Sequence, residues 1–315
     1  MGLFTNKKKL CPICGEPTPR IFSTKVEDMP LCKECAGKIF LPDGALEKMS
    51  LDDFREYMYY YEQNKTLRDI FQPTYEYPVG FSWMTIRMDF ENGLFALHNS
   101  PNALVFEKSC IETYRILEDK NPLFQGHKTA IKFFESDIPY IVEEMAPYIM
   151  QFEAQKREYE MLERMEDMLD REDDRNNRPR RIRVRPSFNG QEPFKNFIVR
   201  VRMEHPYWQG IHQGKIMAPV FDNYYPRIDD YMREYNDRVD SLYDLALQFK
   251  ELVNPNSKEI YDREKNLNVE KNTSNLQENT SVDVVEEIKK YKNLLDAGII
   301  TEEEFAAKKK QLMGI

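Results

Sequence analysis

The chain has 315 residues, 41% of them hydrophobic and 12% aromatic, which is enough for about two or three compact units. Charged residues make up 31% and the formal net charge is -9. That balance points to solvated helix or linker and away from a general nucleic-acid binder, while leaving room for a local basic patch. No run approaches the ~18 apolar residues of a membrane span, and the first residues lack a signal-peptide core. After Met1-Gly2, Asn6 stands where a myristoylation signal requires Ser or Thr. Lys7, Lys8 and Lys9 therefore read as a solvated leader, and the chain as cytoplasmic.

Residues 1–45 carry the clearest chemical signal. Cys11-Pro12-Ile13-Cys14-Gly15 is followed by Cys32-Lys33-Glu34-Cys35, with seventeen residues between Cys14 and Cys32. Two CxxC knuckles at this separation supply four thiolates that can close a tetrahedron around zinc. Gly15 can take the positive φ of a tight knuckle. The intervening Pro17, Pro19 and Pro30, with Ile21, Phe22 and Val26, suit a strand or two with little core. So small a unit needs a staple, and structural zinc supplies ~10–16 kcal/mol of apparent binding energy. Four protein ligands leave no open position, so one structural Zn2+ per chain is expected. A dithiol redox pair is the rival, but it leaves the second CxxC unexplained. The fifth cysteine, Cys110, reads as an inert strand thiol.

Residues 46–253 read as a central α+β domain. Ser50, with Asp53 three positions on, starts a helix running to about Asn64, with Phe54, Met58 and Tyr61 on one face. Strands follow at Phe81–Met88 and Gly93–His98, joined by a hairpin at Glu91-Asn92-Gly93. Ala103–Phe106 and Cys110–Leu117 continue them. Residues 124–190 read as a long insertion, helical over about 128–175. Its second half is charge-dense, with a thin stripe of Phe152, Tyr159, Leu162, Met165 and Leu169, like one arm of a coiled hairpin. Strands resume at Arg181–Arg185 and Phe197–Met203, and a helix over about 222–253 closes the domain, with Tyr231, Tyr235, Leu242, Leu245 and Phe249 among its apolar positions. The whole is antiparallel β interrupted by helix.

Residues 254–283 are rich in Asn, Lys, Glu and Ser and poor in apolar side chains, the composition of a disordered linker. In 284–315, Ile288, Tyr291, Leu294 and Leu295 form one helical face, and Gly298 lies at a C′ position. Thr301 and Glu304 make a capping box, with Ile300 and Phe305 as its hydrophobic staple. A second helix carries Phe305 and Leu312, so the segment is a helical hairpin built for contact.

Leu294-Leu295-Asp296-Ala297-Gly298-Ile299-Ile300-Thr301-Glu302-Glu303-Glu304-Phe305 resembles the SHOCT (short C-terminal) domain. That resemblance implies oligomerisation or partner contact and no enzyme chemistry. The basic leader with Cys-Pro-x-Cys-Gly and Leu-Cys-x-x-Cys is similar to a zinc-ribbon family of uncharacterised function from bacteria and phages. Its members often end in a SHOCT tail and can carry a PH-like domain between. Ala103–Asp119 and the 222–253 helix are compatible with a PH-like barrel and its closing helix, and the 124–190 insertion departs from that pattern.

Catalytic signals are absent. His98, His127, His205 and His212 are scattered, and no phosphate-binding glycine loop occurs. A basic patch of Arg178, Arg180, Arg181, Arg183 and Arg185, extended by Lys195, Arg200 and Arg202, has phosphate-binding character if Arg181, Arg183 and Arg185 share a strand face. A protected basic edge strand explains it as well. The expectation is thus a non-enzymatic, zinc-binding scaffold or oligomerisation protein of bacterial or phage origin with a protein partner or a second copy. Nucleic-acid binding through the ribbon and Arg180, Arg181, Arg183 and Arg185 is the alternative. An enzyme would need a pocket gathering His98, His205 or His212 with carboxylates. No small-molecule substrate is indicated.

Overall fold

The computed structural model describes residues 9–19, 21–80, 84–172, 184–190 and 192–261. It is a mixed α+β structure with several antiparallel sheets and an N-terminal cysteine cluster. The chain divides into two units, Met1–Tyr261 and Asp262–Ile315. The second lies outside the described residues, and with it the expected hairpin of Leu294, Ile300, Phe305 and Leu312.

The N-terminal segment is a minimal hairpin followed by one helical turn. Strands β1 (Lys25–Val26) and β2 (Met29–Pro30) pair with Val26 opposite Met29. Glu27 and Asp28 between them both take positive φ, 46° and 63°, the geometry that matches strand twist in a two-residue turn. Helix α1 (Lys33–Ala36) is capped by Cys32.

Helix α2 (Leu51–Gln63) starts as its sequence dictates. Ser50 and Asp53 form a reciprocal capping box, Ser50 N donating to Asp53 Oδ2 at 2.9 Å and Asp53 N to Ser50 Oγ at 3.1 Å. Phe54, Tyr57, Met58 and Tyr61 are its buried face, while Tyr59 is exposed. The Tyr57 hydroxyl accepts from Phe40 N at 2.9 Å and donates to Lys38 O at 2.8 Å, which lets a phenol occupy the core without an orphaned polar atom. Helix α3 (Lys65–Ile70) follows.

A four-stranded meander comes next: β3 (Tyr75–Pro78), β4 (Met84–Asp89), β5 (Leu94–His98) and β6 (Phe106–Glu107), neighbours in that order. The β4–β5 turn lies at the expected Glu91-Asn92-Gly93, with Gly93 at φ 63°. The expected Ala103–Phe106 strand begins only at Phe106. Residue 105 is occupied otherwise: Val105 N donates to Asn64 Oδ1 at 3.1 Å and its carbonyl accepts from Asn64 Nδ2 at 2.7 Å, so a side chain replaces the ladder there.

The larger sheet has the order β11-β10-β7-β8-β9-β12. Its strands are β7 (Ile111–Glu118), β8 (Asn121–His127), β9 (Ala130–Phe133), β10 (Asn196–Met203), β11 (Gly210–Met217) and β12 (Lys258–Tyr261). All neighbours are antiparallel except β12, which lies parallel to β9. Between β9 and β10 stand α4 (Ile138–Glu143) and α5 (Ala146–Glu172). Helix α6 (Ile228–Val253) packs across β7 and β8, burying Tyr231, Tyr235, Leu242, Leu245, Phe249 and Leu252. Phe249 stacks on Tyr114 at 4.9 Å. A Cβ at Gly126, on the neighbouring strand, would fall 1.9 Å from Tyr114 Cζ, so that ring fits only over a glycine.

Several expectations change. Residues 121–133 are strands β8 and β9, so the helical insertion occupies the stretch between Phe133 and Asn196 and does not begin at 124. The linker expected from 254 first forms β12, held by Lys250 Nζ to Glu259 Oε1 at 2.6 Å and by Tyr261 stacked on Phe133 at 4.7 Å. The closing helix starts at Ile228, later than 222. Of the expected strand Arg181–Arg185, only Val184 and Arg185 are described, and neither is in a strand. Helix α5 leaves Met161, Met165 and Met168 exposed, and no second coiled arm pairs with it among the described residues.

Candidate metal centre

The first knuckle is shaped by its backbone. Leu10 bridges Pro17, Cys11 N donates to Glu16 O at 2.8 Å, and Gly15 N donates back to Cys11 O at 2.9 Å. Closing so tight a loop puts Gly15 at φ 77°, a region that costs glycine little. The second knuckle sits at the start of α1, where Cys35 N donates to Cys32 Sγ at 3.3 Å.

These two turns bring all four sulfurs together. The Sγ atoms of Cys11, Cys14, Cys32 and Cys35 lie within 4.8 Å of one another, with Cys14–Cys32 at 3.5 Å and Cys14–Cys35 at 3.6 Å. A tetrahedron with metal–sulfur bonds of ~2.3 Å has edges of about 3.8 Å. The cluster can therefore hold a metal ion. Cys11, Cys32 and Cys35 are buried and Cys14 is exposed.

The thiols differ electrostatically. Burial pushes Cys11 up, but backbone amides at Cys32, Cys14 and Ile13 outweigh it and bring the group down to about 7. Cys35 is driven upward by burial and then by the three neighbouring sulfurs. Four adjacent thiols cannot all ionise without a cation among them, and a divalent ion is the counter-charge this donor set suits. All four positions would then be filled by protein, the arrangement of a structural site.

The cluster is tied into the larger core. Val26 and Leu31 are fully buried and belong to the same apolar cluster as Phe54, Tyr57 and Phe106. Trp208 Nε1 donates to Phe40 O at 2.8 Å, and Leu51 N to Glu27 Oε2 at 3.0 Å. Sequence reasoning gave no role to Trp208, because it meets residue 40 only through the fold.

Three histidines also converge here. His98 meets Phe40 edge-on at 5.4 Å, His205 meets Phe106 at 5.0 Å, and His212 meets Trp208 at 4.7 Å. A cavity of about 170 Å³ beside them is lined by Phe40, Asp43, His98, Leu104, Phe106 and Trp208 among others. His205 and His212 are occupied elsewhere. His205 Nε2 bonds Tyr60 Oη at 2.8 Å while Tyr207 N donates to its Nδ1 at 3.2 Å, and His212 Nε2 bonds Trp208 O at 3.0 Å. His98 and the carboxylate of Asp43 both line the cavity.

His205 sets a pH dependence. Burial lowers it to about 4 from its ordinary 6.5. As pH falls from 6.5, the unfolded chain takes up this proton before the folded one does, so stability is lost progressively down to about 4. His205→Gln is expected to shrink the drop in unfolding free energy between pH 7 and pH 5 by an amount of order 1 kcal/mol, measured by urea titration of metal-loaded protein. An unchanged drop would exclude His205 as its source.

Cys110 is half-buried and burial pushes its thiol up, which disfavours the nucleophilic thiolate. Arg180, Arg181 and Arg183 lie outside the described residues. Arg185 is exposed, with its guanidinium 4.7 Å over the Tyr224 ring. Arg200 Nε bonds Gln213 Oε1 at 3.1 Å, and Arg202 Nε pairs with Glu112 Oε2 at 2.6 Å across neighbouring strands. His127 is exposed and bonds Thr129.

Residues 286–313 match the SHOCT (Short C-terminal) domain. The SHOCT match covers the C-terminal tail alone. No curated protein and no solved structure matches the chain. No helix among the described residues is long and apolar enough to cross a membrane.

Proposed function

We propose that the chain is a non-enzymatic modular scaffold in which a structural zinc ion staples residues 1–45 onto a central α+β domain, and a SHOCT hairpin recruits a partner or a second copy. The observation that carries this reading is the closed four-thiol cluster, which offers no open coordination position for a substrate. Zinc, not iron, suits such a site in a reducing compartment because it needs no redox partner and prefers tetrahedral thiolate. The C-terminal family match supports the recruiting role. A hairpin on a tether raises the local concentration of whatever it binds without tight intrinsic affinity. The central domain fits a PH-like reading in its two largely antiparallel sheets and its closing helix α6, and departs from it in the parallel strand β12 and in the insertion between β9 and β10. Bacterial or phage origin and a cytoplasmic site belong to the same reading.

Deleting 284–315 tests it. Light scattering is expected to show a smaller assembly, or a defined partner is expected to be lost, with metal content unchanged at one ion per chain. A truncated chain with the same mass and the same partners as the full chain would remove the recruiting role.

A further inference from the structure

The cavity beside Trp208 lies where residues 39–43 meet strand β5 and the 103–106 stretch, apart from the four sulfurs. Its volume of about 170 Å³ takes a compact group and is too small for a nucleotide. Three aromatic residues, Phe40, Phe106 and Trp208, form part of the wall. The rest is aliphatic except for His98 and Asp43.

The polar groups narrow what enters. Trp208 Nε1 is committed to Phe40 O at 2.8 Å, Phe40 N to Tyr57 Oη at 2.9 Å, and Ala103 N to Ser100 O at 3.1 Å. His98 Nδ1 accepts from Ser100 N at 3.0 Å, and burial holds this histidine below its ordinary range, which keeps the ring neutral at pH 7. No lysine or arginine lines the cavity among the described residues. Asp43 is exposed and has no ion-pair or hydrogen-bond partner among those residues. One unopposed carboxylate beside an apolar, aromatic wall suits a cation that carries its own apolar shell. A primary ammonium fits less well, because it brings three N–H donors to a wall whose acceptors Phe40 O and His98 Nδ1 are already taken.

We propose that this cavity binds the head group of a methylated ammonium, its methyls against Phe40, Phe106 and Trp208 and its charge balanced by Asp43. Cation–π attraction to the rings and Coulomb attraction to the carboxylate then act on the same atom. The bound group touches residues 39–43 on one side and the central domain on the other. The site is independent of the SHOCT tail and of whatever that tail recruits.

The test is isothermal titration calorimetry on full-length, metal-loaded protein. Choline is expected to bind, and its uncharged carbon isostere, dimethylbutanol, to bind at least about tenfold more weakly. Asp43→Asn is expected to weaken choline about tenfold and to leave the alcohol unchanged, with metal content intact. Asp43 is exposed, so this variant is not a folding risk. Ala103→Leu, which fills part of the cavity, should weaken both compounds. Acetyl-trimethyllysine amide carries the same head on a peptide stem. Tighter binding than choline assigns the site to a modified side chain, and weaker binding assigns it to a free ligand. No binding at about 10 mM choline, equal affinity for choline and the alcohol, or full choline affinity in the Asp43→Asn chain would each overturn the proposal.

Discussion

A Cys35→Ser chain is expected to lose its bound metal entirely and to lose ordered structure across residues 9–45. Cys35 is buried, its sulfur is 3.6 Å from that of Cys14, and the segment around it has only a two-residue hairpin and one helical turn of its own. Metal binding in such a unit is largely its folding energy, ~10–16 kcal/mol in apparent terms, and three remaining ligands do not close the tetrahedron. Metal analysis of the purified chain checks the first part. Tryptophan fluorescence checks the second, since the Trp208 indole donates to Phe40 O at 2.8 Å and should lose that partner as the ribbon loosens. Cys110→Ser serves as the control, with a change within about 0.5 kcal/mol and full metal content. If Cys35→Ser keeps one ion per chain, the four-thiol site is not the metal centre.

Phe249→Ala is expected to destabilise the central domain by about 3–5 kcal/mol while leaving metal stoichiometry intact. Phe249 is 0% exposed on α6 and stacked on Tyr114, whose ring in turn fills the space above Gly126. Removing it opens a void that rigid strands on the other side cannot close. Urea unfolding followed by circular dichroism measures the loss. Tyr59→Ala, on the exposed side of α2, should change the unfolding free energy by no more than about 0.5 kcal/mol. A small effect at Phe249 would mean that α6 does not hold the larger sheet together.

What could be read beforehand was local. Ser50 and Asp53 specify the start of α2 by bonding each other, and Glu91-Asn92-Gly93 specifies a turn through one left-handed residue, so neither depends on distant chain. The cysteine spacing likewise brings four sulfurs together through two short turns. What escaped was decided by pairing partners far away in sequence. Strand β8, Asn-Pro-Leu-Phe-Gln-Gly-His, and strand β11, Gly-Ile-His-Gln-Gly-Lys-Ile-Met, carry proline or glycine and weak alternation, and become strands because β7 and β10 offer them ladders. Strand β12 sits in a segment composed like a linker and exists because β9 presents an open edge. Ala103–Val105 failed in the opposite direction, the amide of Ala103 bonding Ser100 O and the backbone of Val105 bonding Asn64. The convergence of His98, His205 and His212 had no sequence signal, since their positions meet only after both sheets have formed.

The order of strands in the larger sheet also constrains how the chain reaches its native state. Strand β7 lies between β8, its immediate successor, and β10, which follows only after residues 119–195. Closing that distance costs little in equilibrium terms, because loop entropy grows only logarithmically and each doubling of length adds about 0.6 kcal/mol. In time it costs more, because the entropy is lost before the contacts are gained. The β3–β6 meander and the β7–β8–β9 run can zip from their turns, whereas β10, β11 and the parallel β12 must wait for a platform. Until they arrive, both long sides of β7–β9 present unpaired amides and carbonyls. A chain emerging from the ribosome therefore passes through a stage in which half a sheet is exposed. That stage, more than the finished molecule, is where crowding or slow synthesis would turn it toward aggregation.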